Sequence, residues 1–300
     1  MFSKRASKTV WLALGWLVII VGLSACAQVP APSLDTAAAE SPDGNALKPR
    51  KPLPKTVASA SPSDRRIVGG KETDIRSHPW QVAVRVTQNN QSFQCGGTLV
   101  AQTWVLTAAH CFDDNSTTGD IQVKMGVNDP AANGKWTKVA RLVRHVRYDA
   151  KTNENDLALI KLSRPGAGRV IPMAGARHTV PARQTLEVTG WGAIKEDGQS
   201  SRKLVKANVP YVTNEVCNHP KSYDGTIKKG MLCAGKEKGG VDACQGDSGG
   251  PLVWRTTDGP VLVGVVSFGI GCARRLKYGV YTRVSTYRSW IEQVMAANPV

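Results

Sequence analysis

An all-β barrel or sandwich architecture is predicted for most of this 300-residue chain. Three observations carry the prediction. Short apolar runs recur from Gln81 onward, and Gly, Pro, Asn and Asp punctuate them at close spacing. Only the C-terminal segment shows a helical period. With 41% hydrophobic and 21% charged side chains, the chain can build one large domain or two ordinary ones around a real core. Collagen-like and wholly disordered classes are thereby excluded.

The N-terminus has the layout of an export signal rather than of folded structure. Lys4, Arg5 and Lys8 precede an apolar stretch from Val10 to Leu23, and small residues follow at Ser24, Ala25 and Ala27. The competing reading is a single membrane-spanning helix, which needs ~20 apolar residues. The strongly apolar part here is shorter. Two cleavage readings remain open. Leu23-Ser24-Ala25-Cys26 resembles the lipobox of bacterial lipoproteins, in which the cysteine becomes the acylated first residue, and this reading is favoured. Ala25-Cys26-Ala27 also fits the A-x-A pattern, which would discard Cys26. Of seven cysteines, six then remain, an even number suited to an oxidising compartment. The expected location is the bacterial cell envelope through a lipid anchor at Cys26, or a secreted or periplasmic state after cleavage.

From Gln28 to Asp64 the composition turns to Pro, Ala, Ser and scattered charge, with almost no large apolar side chain. Such a stretch cannot bury enough surface to offset the entropy of ordering it, so it reads as a tether and propeptide. The dibasic Arg65-Arg66 ends it, and Ile67-Val68-Gly69-Gly70 opens the β-rich region. The expected organisation is a signal over 1–25, a tether over 26–66 and a folded domain over 67–300. Strands are predicted at Gln81 to Val86, Gly97 to Val105, Ile121 to Val127, Asp156 to Leu162 and Thr185 to Trp191. Further strands are expected at Lys203 to Val212, Pro251 to Arg255, Val261 to Phe268 and Gly279 to Val284. The one predicted helix follows, with Ser285 as N-cap and Tyr287, Trp290, Ile291 and Val294 on a single face.

Three motifs far apart in the chain carry chemistry. Thr107-Ala108-Ala109-His110-Cys111 follows an apolar strand, Asn155-Asp156-Leu157-Ala158-Leu159 opens another, and Gly246-Asp247-Ser248-Gly249-Gly250-Pro251 is a glycine-rich turn. Singly each is weak, but the order His, Asp, Ser is that of chymotrypsin-type triads. On these motifs, the sequence after Arg66 and the cysteine spacing, the chain from Ile67 to Val300 resembles the trypsin-like serine proteases. The resemblance implies two six-stranded antiparallel β-barrels with a C-terminal α-helix.

A serine hydroxyl is a poor nucleophile at neutral pH and needs a base to take its proton. His110 is assigned that role, because imidazole titrates near the working pH. Asp156 would hold the other ring nitrogen and stabilise the imidazolium without taking the proton. By resemblance, the N–H groups of Gly246 and Ser248 form the oxyanion hole. The resemblance also places Asp242 at the base of the pocket for the side chain preceding the cleaved bond, where a carboxylate selects Arg or Lys through charge-assisted bonds. Gly269 and Gly279 match the family's pocket-wall glycines, and Ser267-Phe268-Gly269 could pair with an extended peptide. Ala243 stands where trypsin has a serine that helps hold Lys, so Arg is expected to be preferred.

Activation is expected by cleavage after Arg66, with the new ammonium of Ile67 inserting beside Asp247. Arg66 is itself an Arg site, which makes self-activation a hypothesis. The family pattern pairs Cys95 with Cys111, Cys217 with Cys233, and Cys244 with Cys272. None of these joins the tether to the protease domain, so cleavage would release an anchored enzyme. Departures from the family are specific. The loop after Gly126 lacks the glutamates that bind calcium in some members, so no metal or other cofactor is expected. Phe268 replaces a usual tryptophan, and Tyr278 a common proline.

Charge divides unevenly: residues 1–66 hold 9 basic and 4 acidic groups, and 67–300 hold 30 and 19. Arg141, Arg144, Arg147 and the run Arg274-Arg275-Leu276-Lys277 are candidate anionic-surface patches, with a solvated basic face as the plainer reading. No nucleic-acid motif accompanies them. Two functional classes follow: an endopeptidase acting after Arg or Lys as a monomer, open to proteinaceous inhibitors, and a catalytically silent binder of anionic surfaces on the same fold.

Overall fold

The computed structural model describes residues 68–88, 90–175 and 178–299. Among these residues thirteen strands form the framework. The first barrel is closed by β2 (Gln81–Gln88), β3 (Gln91–Ala101), β4 (Trp104–Thr107), β5 (Ile121–Met125), β6 (Thr137–Arg144) and β7 (Ala158–Leu162), in the order β2-β3-β4-β7-β6-β5. Alternation places Val82, Val84, Leu99, Leu106, Val123 and Leu159 inside, all fully buried. Each such side chain contributes roughly 1.5–3 kcal/mol on burial.

The second barrel comprises β8 (Thr185–Gly190), β9 (Val205–Val212), β10 (Met231–Ala234), β11 (Pro251–Thr256), β12 (Gly259–Phe268) and β13 (Gly279–Arg283), in the order β9-β10-β13-β12-β11-β8. Pairing of β8 with β9, from Thr185↔Pro210 to Gly190↔Val205, closes it. The short β1 (Lys71–Glu72) adds to the outer side of β9. Leu186, Val188, Val209, Leu232, Leu252 and Tyr281 fill the interior. Both barrels are thus six-stranded and antiparallel, as the resemblance implies.

Several elements differ from expectation. The run predicted as one strand over Gly97 to Val105 is the end of β3 and the start of β4, separated by a turn at Gln102-Thr103. Strands β1, β6 and β10 have no counterpart among the predicted ones. A single helical turn, α1 (Asn214–Cys217), accompanies the C-terminal α2 (Val284–Ala297), and the Thr213 side chain caps it. Ser285 is not the N-cap of α2; Arg283 holds that position with no side-chain cap bond, because strand β13 runs directly into the helix. The predicted helical face is correct in its packing: Ile291 is buried, and Tyr287, Trp290 and Val294 pack onto the first-barrel core. The structure joins Cys95 to Cys111, Cys217 to Cys233 and Cys244 to Cys272.

Candidate active site

The three motif residues lie at loop ends that tertiary contacts gather. His110 sits in a 3-10 turn, Ala109–Cys111, at the end of β4. Asp156 lies just ahead of β7, whose Ala158 pairs with Thr107 of β4, so the two residues are register neighbours. The Asp156 carboxylate is fully buried. It accepts from His110 Nδ1 at 2.8 Å through Oδ2 and from the His110 backbone N–H at 2.9 Å through Oδ1. These two bonds fix the ring and leave Nε2 to face outward. Ser267 Oγ also donates to Asp156 Oδ2, at 2.5 Å, and Thr282 Oγ1 donates to the Asp156 backbone carbonyl at 2.7 Å.

Ser248 lies in the turn between β10 and β11. Its carbonyl accepts from the Gly96 N–H at 2.7 Å and lies 3.8 Å from Cys111 Sγ, which brings the turn against the His110 segment. Among the described residues no hydrogen bond joins Ser248 Oγ to His110, whose ring bonds only to Asp156. Free sites of this kind are commonly loose and tighten on substrate binding. Two glycines make the turn possible. Gly249 has φ +79°, and a Cβ there would stand 2.2 Å from Thr107 Oγ1; Gly246 has φ +92°.

Asp247, between them, is fully buried. Its Oδ1 accepts from the Gly192 N–H at 2.8 Å and its Oδ2 from the Cys244 N–H at 3.0 Å. Burial pushes this carboxyl up to about 6, and the two N–H groups oppose the rise. The Gly190-Trp191-Gly192 sequence provides its cradle: a Cβ at Gly190 would lie 2.0 Å from Asp247 Oδ1, and one at Gly192 would lie 2.5 Å from the carboxyl carbon. Val68, the first described residue, accepts from the Asp242 N–H at 3.3 Å and packs beside Ala193, Cys244 and Cys272. Arg66, Ile67 and Cys26 lie outside the described residues.

Next to Ser248 opens a cavity of about 140 Å³. Asp242, Ala243, Ser267, Phe268, Gly269 and Gly279 line it. Asp242 is 3% exposed, with Oδ2 accepting from the Ala273 N–H at 3.2 Å and Oδ1 without any partner. Burial pushes this carboxyl up to about 7, opposed by the N–H groups of Ala273 and Ala243 and reinforced by the charge on Asp247. A buried anion lacking a partner is costly. A guanidinium entering past Ser248 would satisfy Oδ1 with a charge-assisted bond.

The site as a whole can hold a cationic side chain in the cavity, present a hydroxyl at its mouth and offer an oriented imidazole beside it. The chain's own similarity is equally direct: residues 67–291 match the family model described as Trypsin.

This chain belongs to the trypsin family. Transmembrane protease serine 11C of Mus musculus is 40% identical over 233 residues, an alignment covering 75% of this chain and 53% of that protein. The chain therefore spans about half the length of that relative. The match and this relative place the chain among serine-protease domains.

Sequence reading missed several contributors. Thr282 and the Gly190/Gly192 cradle act through contacts that no local pattern records, although G-W-G is a close-approach signal. Ser267, expected beside the substrate backbone, also bonds Asp156. Tyr223 is 4% exposed and donates through its hydroxyl to the Tyr278 carbonyl at 2.6 Å, which ties Tyr278 into the second barrel. In the loop after Gly126, the Lys124 ammonium bonds the carbonyls of Pro130, at 3.0 Å, and Ala132. The basic patches are partly neutralised: Arg144 pairs with Asp114, and Arg274 forms a two-pronged pair with Glu196.

Proposed function

We propose that this protein is an exported endopeptidase, kept as a zymogen until cleavage after Arg66, that hydrolyses peptide bonds following Arg and, less well, Lys. The observation carrying the specificity is the buried Asp242 Oδ1, which lacks a partner at the base of a cavity whose mouth holds Ser248. Ala243 offers a methyl group where a hydroxyl would help solvate a shorter ammonium, and this favours Arg.

In the mechanism we infer, the substrate guanidinium docks on Asp242 and an extended backbone lies along Ser267-Phe268-Gly269. His110 Nε2 takes the Ser248 proton as Oγ attacks the scissile carbonyl. Asp156, fixed by two bonds to His110 and one from Ser267, stabilises the imidazolium. The oxyanion is received by the N–H groups of Gly246 and Ser248. His110 then returns the proton to the leaving amine, and water hydrolyses the acyl-enzyme by the same route.

Activation rests on Asp247. Its carboxylate holds two N–H groups, yet burial still raises it, so an arriving Ile67 ammonium would gain a strong ion pair. Val68 already lies beside Asp242, one residue from that position. Upstream, the lipobox reading makes Cys26 an acylated anchor and 26–66 a tether, so that activation frees the enzyme. The membrane attachment named for the mouse relative is in keeping with a tethered precursor.

The test is covalent labelling of Ser248 by a fluorophosphonate before and after cleavage at Arg66, with turnover of matched Arg and Lys peptides. Labelling only after cleavage, with Arg preferred, is expected. An activated protein that stays unlabelled would refute the enzyme assignment, and equal turnover of the two peptides would refute the Ala243 argument.

A further inference from the structure

The segment from Ala273 to Gly279 touches the Asp242 carboxylate at both ends. The Ala273 N–H donates to Asp242 Oδ2 at 3.2 Å, and a Cβ on Gly279 would lie 2.5 Å from Asp242 Oδ1. Between these ends, Ala273 and Leu276 hold φ values of 56° and 61°. Side chains with a Cβ stay in that left-handed region only where the surroundings over-determine them. Something must therefore hold this stretch of backbone in place.

Three consecutive residues of the loop after α1 do so. Ser222 Oγ donates to the Leu276 carbonyl at 2.7 Å, and Tyr223 Oη donates to the Tyr278 carbonyl at 2.6 Å. The third tie runs the other way: Lys277 Nζ donates to the Ser222 carbonyl at 2.5 Å and to the Lys221 carbonyl at 3.3 Å. Its ammonium also stands 5.8 Å from the centre of the Tyr223 ring. The first two ties are neutral. Only the third carries charge, and it turns two carbonyl dipoles converging on one point from mutual repulsion into attraction. Among the described residues Lys277 forms no ion pair, so these carbonyls are its counter-dipoles.

We propose that Lys277 is a positioning residue for the specificity pocket, an internal cation that clamps the pocket wall to residues 221–223 and so sets the spacing around Asp242. The inference rests on the Arg-pocket reading of Asp242. It concerns binding rather than chemistry, because the clamp touches neither Ser248 nor His110.

The test compares activated wild type with Lys277→Met, which keeps the apolar stem, and Lys277→Arg, which keeps the charge. Calorimetric benzamidine binding serves as a readout independent of turnover. In Lys277→Met, benzamidine affinity should fall, and KM for an Arg amide rise, by roughly tenfold, equivalent to about 1.4 kcal/mol. The kcat should hold within about twofold, the pattern of lost uniform binding. Ammonium chloride should restore most of the loss by occupying the vacated carbonyls, whereas tetramethylammonium, which cannot donate, should not. Lys277→Arg should behave as wild type. Unchanged benzamidine affinity in Lys277→Met, or a loss that ammonium fails to restore, would overturn the clamp alone. Wild type that ignores benzamidine would overturn the Arg-pocket reading and the clamp with it.

Discussion

Replacing Asp242 by Asn should move activity and stability in opposite directions. The isosteric amide keeps the shape of the pocket base but cannot neutralise a guanidinium, and removing one partner of a buried charge pair costs ~3–5 kcal/mol. That is a loss of ~10²–10⁴ in kcat/KM for Arg substrates. The folded enzyme should meanwhile become more stable. Burial raises the Asp242 carboxyl from 3.8 to about 7, so above its unfolded value the carboxylate destabilises the fold, increasingly as pH rises toward about 7 and steadily beyond. The shift sets a ceiling of about 4 kcal/mol on what is regained. Since the amide leaves polar atoms of its own in the cavity, a gain of about 1–3 kcal/mol at pH 8 is expected. Near pH 4, where the native carboxyl is protonated, the gain should vanish. Thermal melts at the two pH values and kcat/KM on an Arg amide measure both effects. A variant that retains Arg turnover within about tenfold, or whose stability gain over wild type is no larger at pH 8 than at pH 4, would sink the argument that an unpartnered buried anion defines this pocket.

Three further outcomes follow from named contacts. Asp156→Asn keeps the packing but can no longer hold His110 in the tautomer with a free Nε2, so kcat should drop by about 10⁴ near neutral pH with KM little changed; pre-steady-state acylation measures it. Gly279→Ala places a Cβ 2.5 Å from Asp242 Oδ1 and 3.1 Å from the Tyr281 hydroxyl, so benzamidine binding should weaken at least tenfold while fluorophosphonate labelling continues. His78 is fully buried, and burial lowers it from 6.5 to about 4 despite the carboxylate of Glu187 at 3.5 Å. Its folded value being depressed, stability is complete above 6.5 and is lost as pH falls toward about 4, by up to ~1.4 kcal/mol per pH unit. Denaturant midpoints for His78→Gln should lose this acid slope, and an unchanged slope would assign it to other groups.

The elements legible in the sequence were those whose pattern is local. Val82, Val84 and Val86 alternate cleanly in β2, and Tyr287, Trp290, Ile291 and Val294 repeat at helical spacing, so both were readable. Strand β6 was not, because Lys138, Arg141 and Arg144 dilute its apolar alternation and a bulge between Val139 and Arg141 breaks the period of two. Strand β10 has only four residues, all buried, which no alternation marks. The β3–β4 turn at Gln102-Thr103 carries neither Gly nor Pro, so two strands read as one. At the site, motif order exposed His110, Asp156 and Ser248, whereas Thr282, Gly192 and Tyr223 reach it from remote elements and leave no spacing to read.

Three aspartates mark where sequence stops and tertiary structure begins. The sequence by itself determined their order in the chain, their glycine-rich or strand-edge settings, and the resemblance that named a role for each. It could not distinguish their environments, since all three carry the same carboxylate. Folding did so: Asp156 takes bonds from His110 and Ser267, Asp247 takes two N–H groups from Gly192 and Cys244, and Asp242 keeps one oxygen without a partner. The partners come from the His110 turn, the loop after β8, the loop ahead of Ser248, β12 and the Ala273 segment, up to 111 residues away in the chain. A carboxylate's charge state and reach depend on its burial and its donors, and both are properties of packed neighbours rather than of adjacent residues.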